Sequence, residues 1–500
     1  MSTLENSESS ESGFSRRQFL GSATLTTAGV AAGLSFYFLR PREPNLEAYK
    51  NPEMQVRLGY IGVGNRGTAL LRSSLQVPGN RPVAVAEVRS AQRDAAITDI
   101  KTAKKDFEGI EDYPVKVYSD YRKLLDDKDV EAVFIATPHY LHGPMAIEAL
   151  LAGKHVYCEK AMAYTIGENH DIYNLVQNHN KGPGLKLVFQ VGHQRHYSPF
   201  YQKVKEMVDT DVIGDVAALR AQWNKNDELR RPCPNPEMEK VVNWRLYSEY
   251  SGGLTTEFAS HQIDVASWML DAHPDSVCGY GGVDWYQDGR DTQDNIHLIF
   301  NYKVPVLERD RYGRVVKGQD GKPLCRKDKD GSLALRNVRF SYVSIMENAY
   351  LGPSELIMGT YGTLEVSLLG GESFKEEKGP VDPDVPTPPK KMAAGSSVKV
   401  TEGGLPRRRG DPIRYDKDRN HWVNFTKEIL GAYDTQETLL AVGSFLDCIR
   451  DARLGKDFSD KLKADVKVGL WGAVPSLMAN IAMREERTVY WKEFFPTDLT

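Results

Sequence analysis

The most constraining feature of this 500-residue chain is a run of glycines placed where a strand gives way to a helix. Residues 56–62 (VRLGYIG) read as a buried strand. Gly62-Val63-Gly64-Asn65-Arg66-Gly67 continues it as G-x-G-x-x-G into a helix-like stretch at 66–76. That context gives the pattern its meaning. Gly62 permits a tight turn, Gly64 lets the backbone approach a pyrophosphate, and Gly67 lets the helix pack closely on the strand. The helix opened by Asn65 and Arg66 offers unpaired N–H groups and positive potential to an anion. A second strand, 81–88 (RPVAVAEV), carries Glu87, 25 residues beyond Gly62. A carboxylate at that strand end accepts hydrogen bonds from an adenosine ribose and repels a 2′-phosphate, which favours NAD. Arg89, two residues on, leaves NADP open as the alternative.

The strand–helix alternation continues. Residues 114–119, 131–137 and 154–160 read as further strands, with a sixth through 186–192, and 90–107 and 141–152 read as helices. This spacing implies a doubly wound parallel sheet, the Rossmann arrangement, over residues 55–180. Beyond about residue 195 the strands lengthen, near 215–226, 277–286, 293–302, 336–348 and 353–368, with a helix near 257–271. The fold class is therefore α/β, with a second, α+β domain over 181–484 built on a large, mostly antiparallel sheet. Charged residues 303–335 read as a hairpin insertion, and 370–416, rich in Pro, Gly, Lys and Glu, as a long surface loop. Helices at 417–431, 434–454 and 463–484 precede a tail at 485–500, and no internal repeat is visible.

Composition excludes some partners. A net charge of −4 argues against nucleic acid or an anionic membrane surface. Five cysteines, Cys158, Cys233, Cys278, Cys325 and Cys448, show no CxxC spacing and read as reduced thiols, with one disulfide left open. The first forty residues differ from the rest. SRRQFLG at Ser15–Gly21 leads into a 21-residue apolar run, Phe19–Leu39, followed by RPREP. Paired arginines before an apolar stretch resemble a twin-arginine export signal, which implies the export machinery as a partner and a periplasmic or otherwise exported location. The run is also long enough to anchor the chain in a bilayer if it is kept. Residues 41–54 read as a linker.

Four ordered blocks carry a wider resemblance: GYIGVGNRG (59–67), VFIATPHYLHGPMAIEALLAGKHVYCEKAMA (133–163), VGHQRHYSP (191–199) and SGGLTTEFASHQIDVASWM (251–269). Together they make the chain similar to the glucose–fructose oxidoreductase / inositol dehydrogenase (Gfo/Idh/MocA) family, well over residues 55–300 and loosely in the C-terminal helices. The resemblance implies a two-domain, NAD(P)-dependent oxidoreductase acting on a secondary alcohol of a sugar, glycoside or cyclitol, often as a homo-oligomer. It implies that Thr137, Pro138 and His142 line the cofactor near the nicotinamide, alongside Glu159 and Lys160. Two positions depart from the family pattern. Ala161 replaces the usual proline of Glu-Lys-Pro, and Glu257 replaces the usual aspartate four residues before His261.

The chemistry fits these residue types. Alcohol oxidation needs a base for the hydroxyl proton and a donor near the developing alkoxide. Lys160, at the C-terminal end of a parallel strand, is placed to polarise the reacting oxygen. His261 exchanges protons near neutrality. Glu257, four residues away, shares its helix face if the segment is helical from there on, and would orient the imidazole or bind a second hydroxyl. His193 and Arg195 open the second domain and are candidate substrate contacts, as are Trp244 and Arg245, whose planar groups suit a sugar. No metal is assigned: Glu257 and His261 lack a third ligand at a suitable angle. An alternative function is an NAD-dependent glycoside hydrolase or lyase that oxidises a sugar hydroxyl transiently.

Overall fold

The computed structural model describes residues 52–106, 114–182, 184–367, 370–375, 397–400, 415–416, 421–422 and 425–496. The expected export signal (1–40), the linker up to residue 51, most of 370–416 and the last four residues lie outside the described residues.

The first domain alternates β1 (Val56–Ile61), α1 (Asn65–Leu75), β2 (Asn80–Ala86), α2 (Ser90–Asp106), β3 (Lys116–Tyr118), α3 (Tyr121–Leu125), β4 (Ala132–Ile135), α4 (His142–Leu151), β5 (His155–Cys158), α5 (Ile166–Lys181) and β6 (Phe189–Val191). All six strands are parallel, in the order β3-β2-β1-β4-β5-β6. The order reverses between β1 and β4, and ligands bind at the strand C-termini beside such a switch point. The central strands β1, β4, β5 and β6 are mostly buried because both faces are covered, whereas the edge strand β3 is exposed. On one face Leu58, Tyr60, Phe134 and Tyr157 form a core with α1 and the C-terminal region; on the other, Ile61, Val133, Ile135 and Val156 pack with Ala146 of α4 and Ile172 of α5.

The second domain contains α6 (Pro199–Asp209), β7 (Val216–Trp223), α7 (Glu239–Val242), α8 (Ser260–Leu270), β8 (Pro274–Gly282), β9 (Asn295–Pro305), β10 (Leu335–Ile345), β11 (Pro353–Gly359) and β12 (Gly362–Ser367). Further on come β13 (Gly370–Lys375), β14 (Ser397–Val400), β15 (Tyr415–Asp416), β16 (His421–Trp422), α9 (Phe425–Arg453), α10 (Val466–Glu485) and β17 (Val489–Tyr490). Nine of these strands form one sheet, β14-β13-β12-β11-β7-β10-β9-β8-β17, antiparallel except where β7 meets β10. Burial alternates along β9 and β10, so one face is core and the other is open. α10 packs on α8 and β8 and also on α5, tying the two domains together.

Four details differ from the sequence expectations. The helices expected at 417–431 and 434–454 are a single helix, α9. Gly431, the one breaker between them, costs only about 1 kcal/mol inside a helix, and the helix buries Phe445, Leu446 and Ile449 against the first sheet. Phe445 meets Phe134 and Tyr157 edge-on at 5.4 and 5.7 Å. The segment expected as loop 370–416 supplies β13 and β14 at the sheet edge and β15 of a separate pair; its Pro and Gly content hid short strands such as Ser397–Val400. The tail is partly sheet: Val489 pairs with Val277 and caps the other edge. The insertion between β9 and β10 is three small turns rather than one hairpin. Their strands close in a ring, with Glu308 N–H bonded to Leu324 O, Leu324 N–H to Val316 O and Val316 N–H to Glu308 O. Each turn has a glycine at positive φ, Gly313, Gly321 or Gly331, so a local threefold repeat exists where the sequence showed none.

Candidate active site

The glycine turn has the conformation its pattern implies. Gly62 sits at φ +82°, where a Cβ would lie 2.8 Å from Ala136 O, and a Cβ on Gly67 would lie 2.0 Å from Gly62 O. Gly64 is the N-cap of α1, and no side chain caps the amides behind it. A Cβ on Gly64 would meet only the Arg89 Nη2 atom, at 3.2 Å, so the approach to the helix N-terminus is open. Glu87, 8% exposed at the end of β2, accepts from Val63 N at 3.0 Å and from Arg89 N at 3.0 Å. An open anion cradle beside a carboxylate at the next strand end fits a dinucleotide. Asn65 and Arg66 are the first residues of α1, but the Arg66 side chain turns to other work. Its Nε donates to Glu159 Oε1 at 2.7 Å and its Nη1 to Thr438 Oγ1 of α9 at 3.1 Å.

The loop after β4 carries Thr137, Pro138 and a short 3-10 turn, His139–Leu141. His142 is enclosed, with its ring nitrogens 2.9 Å from Thr137 O and 2.9 Å from Ala161 O. A neutral imidazole has one N–H and donates to one of these carbonyls at a time. His139 Nε2 lies 3.0 Å from Ala163 O, while its Nδ1 accepts from Gly252 N at 3.4 Å. Burial and the neighbouring His142 hold His139 at about 3, so its ring is neutral. The two histidines are struts between the β4 and β5 loops.

Lys160 follows β5, and its bond to Ala161 is cis without a proline. Its Nζ donates to the backbone oxygens of Glu257 at 2.5 Å and Thr256 at 3.3 Å. The Ala161 departure from the family pattern therefore leaves the lysine pointed into the second domain. Burial lowers the Lys160 pKa, and Glu257 and Glu159 oppose that shift.

The lysine's acceptors lie in a π-helical turn, Thr255–Ala259, that leads into α8. A π turn bonds i to i+5, and Glu257 does not hold the His261 imidazole four residues on. Instead Glu257 Oε2 accepts from Arg245 Nε at 2.8 Å, and no hydrogen bond joins it to His261 among the described residues. Burial raises the Glu257 pKa, but Arg245 and Lys160 outweigh it and hold the carboxyl at about 2. His261 stands between Trp223 (ring centroids 5.4 Å apart) and His193 (6.3 Å), with Nδ1 buried and unpartnered. Burial, then Lys160, Arg195, His193 and Arg66, push its pKa well below that of free imidazole.

Not every expected substrate contact faces the site. His193 is 1% exposed and sits 3.4 Å from Asp264, whose other oxygen lies 2.9 Å from His196 Nε2. Arg195 is locked to Glu355 at 2.6 Å, with Tyr201 bonded to the same carboxylate. These residues form a polar layer behind His261. Arg245 remains half-exposed, stacked on Trp244 with its Cζ 4.2 Å from the ring centroid. Sequence reasoning missed Thr438, for which no signal exists, and Glu355, a lone acid in an apolar strand.

Comparison with known proteins agrees with this layout. Residues 56–184 match the profile of the oxidoreductase family with an NAD-binding Rossmann fold, and residues 201–316 match the GFO/IDH/MocA C-terminal domain. Residues 56–184 and 201–316 thus match the two domains of the Gfo/Idh/MocA family in order. It is 28% identical over 229 residues to the uncharacterized oxidoreductase YrbE of Bacillus subtilis (strain 168), covering 46% of this chain and 58% of that protein. It is 27% identical over 219 residues to the inositol 2-dehydrogenase of Salmonella typhimurium (strain LT2), covering 43% and 55%. The chain thus spans little more than half the length of these relatives. Among solved structures, levoglucosan dehydrogenase in complex with NADH and levoglucosan superposes with a TM-score of 0.56 at 17% identity, over 87% of this chain and 99% of that one, which shows the shared fold.

Because a side chain at Gly64 meets only a flexible guanidinium, Gly64→Val should fold normally yet fill the space a pyrophosphate needs. We expect wild-type thermal stability with dinucleotide content reduced at least tenfold, read by absorbance and mass spectrometry of the purified protein. Full occupancy in the variant would remove the phosphate site from this turn.

Proposed function

We propose that the protein is an NAD-dependent oxidoreductase that interconverts a secondary alcohol and a ketone on a sugar or cyclitol. The observation that carries this reading is Lys160, which reaches from the end of β5 to the Thr256 and Glu257 carbonyls. An ammonium group from the dinucleotide-binding domain thereby reaches the turn that leads to His261. The bound dinucleotide would supply the hydride acceptor or donor. Lys160, with two of its three N–H donors held by backbone, offers the third to the reacting oxygen and stabilises charge developing there. His261 takes the hydroxyl proton on Nε2 during oxidation and returns it during reduction. Burial and the surrounding cations keep its ring in the neutral, proton-accepting form. Glu257, ionised beside Arg245, accepts a hydrogen bond from a neighbouring substrate hydroxyl.

Lys160→Met and His261→Ala should each retain the dinucleotide but reduce it with substrate about 10²-fold more slowly in single-turnover stopped flow. Near wild-type rates in both variants would remove these residues from the chemistry.

We further propose that the protein works outside the cytoplasm and carries its dinucleotide with it. The paired arginines at Arg16–Arg17 and the apolar run behind them support export in a folded state. The packing of α9 against α1, and the Arg66 link to Thr438 and Glu159, support slow cofactor release, because they close one flank of the glycine turn. Free nicotinamide cofactor is scarce in that location, so the hydride would leave to a second substrate on the same enzyme. The protein should keep NAD(H) through exhaustive gel filtration and turn over without added dinucleotide. A fully active apo-protein that consumes free NAD at every cycle would refute this.

A further inference from the structure

Three arginines surround the Lys160–His261 pair, and one differs from the others. Arg66 is held between Glu159 and Thr438, and Arg195 is enclosed against Glu355 with its side chain 5% exposed. The Arg245 side chain is 41% exposed. It meets Glu257 through Nε alone, at 2.8 Å. An arginine whose whole task is to neutralise a carboxylate tends to present two parallel N–H groups to it. Here a single contact serves Glu257, and among the described residues neither terminal amino group is hydrogen-bonded.

The guanidinium is nonetheless fixed. It lies on the Trp244 ring, 4.2 Å from Cζ to the centroid, and Glu257 pins its Nε. Glu257 is in turn part of the π turn whose backbone oxygen holds Lys160. Arg245 is therefore a pre-oriented fork of donors at the open side of the site, one residue removed from the lysine. A planar fork with a free edge matches a carboxylate, and pre-orientation spares the entropy of ordering it.

We propose that the substrate is an acid: a sugar or cyclitol carrying a carboxylate, bound by the terminal amino groups of Arg245, with its reacting hydroxyl at Lys160 and His261. Arg245 is the specificity-determining residue. The inference rests on the oxidoreductase reading for the fate of the hydroxyl, but not for the binding of the carboxylate.

The test is calorimetric titration of the protein, dinucleotide bound, with matched pairs: D-glucuronate against D-glucose, D-galacturonate against D-galactose, and D-gluconate against sorbitol. In at least one pair the acid should bind about tenfold or more tightly than its neutral partner, the scale of one charged hydrogen-bonded contact. That ratio should fall towards one in Arg245→Gln and be partly kept in Arg245→Lys, which retains a point charge without the fork. Circular dichroism of both variants checks that they fold. If no acid exceeds its neutral partner, or if the preference survives in Arg245→Gln, the proposal is overturned. Bound-cofactor absorbance read in the same titration separates the two claims. Selective acid binding without any change in the cofactor would uphold the acid site and refute the oxidoreductase reading.

Discussion

The site depends on one contact, the Lys160 ammonium on the carbonyls of Thr256 and Glu257. A buried cation is costly unless its donors are satisfied. The lysine leaves the first domain at the end of β5, beside the ligand-binding end of a parallel sheet, and its Nζ acceptors among the described residues lie in the second domain. Those acceptors exist because the chain winds as a π turn at Thr255–Ala259, which loosens the regular i to i+4 bonding there. The lysine thereby also joins the domains. α10 reinforces that geometry by packing against α5 on one side and α8 on the other.

Around this contact, charge is distributed in pairs: Arg66 with Glu159, Arg195 with Glu355, and Arg245 with Glu257. The pairing keeps Glu257 ionised despite burial. It leaves His261 facing cations, which favours a neutral ring able to accept a proton. Near it, Asp264 is bonded to His196 and lies 3.4 Å from His193. The cofactor side is built differently, from backbone. The helix start at Gly64 has no side-chain cap, and Glu87 stands beside it on Val63 N, an arrangement that would hold a pyrophosphate and an adjoining ribose.

The first domain was legible in the sequence because both faces of its sheet are covered. Its strands are therefore short, continuous apolar runs, and the glycines at 62, 64 and 67 answer steric demands that any reader can state. Lys160 and His261 were legible through their blocks, but their surroundings were not. The partner of Glu257 was not legible, because Arg245 reaches it from a separate turn and a π turn leaves no mark in residue spacing. Arg195 carried the right chemistry for substrate, yet the fold bonds it to Glu355, 160 residues away, while His193 is enclosed beside Asp264. Thr438 lies 372 residues from Arg66, beyond the reach of any local pattern. Segment 370–416 looked like loop because Pro and Gly outweighed its short strands.

The central claim is that the cradle at Gly64 and the Lys160–His261 pair are two ends of one site. The most direct measurement is a crystal structure of the protein with NADH. The account predicts the pyrophosphate at the amides of Gly64 to Arg66 and the nicotinamide ring in contact with Lys160, facing His261. A dinucleotide whose nicotinamide end leaves the cleft without meeting Lys160, or whose pyrophosphate lies away from the glycine turn, would contradict it.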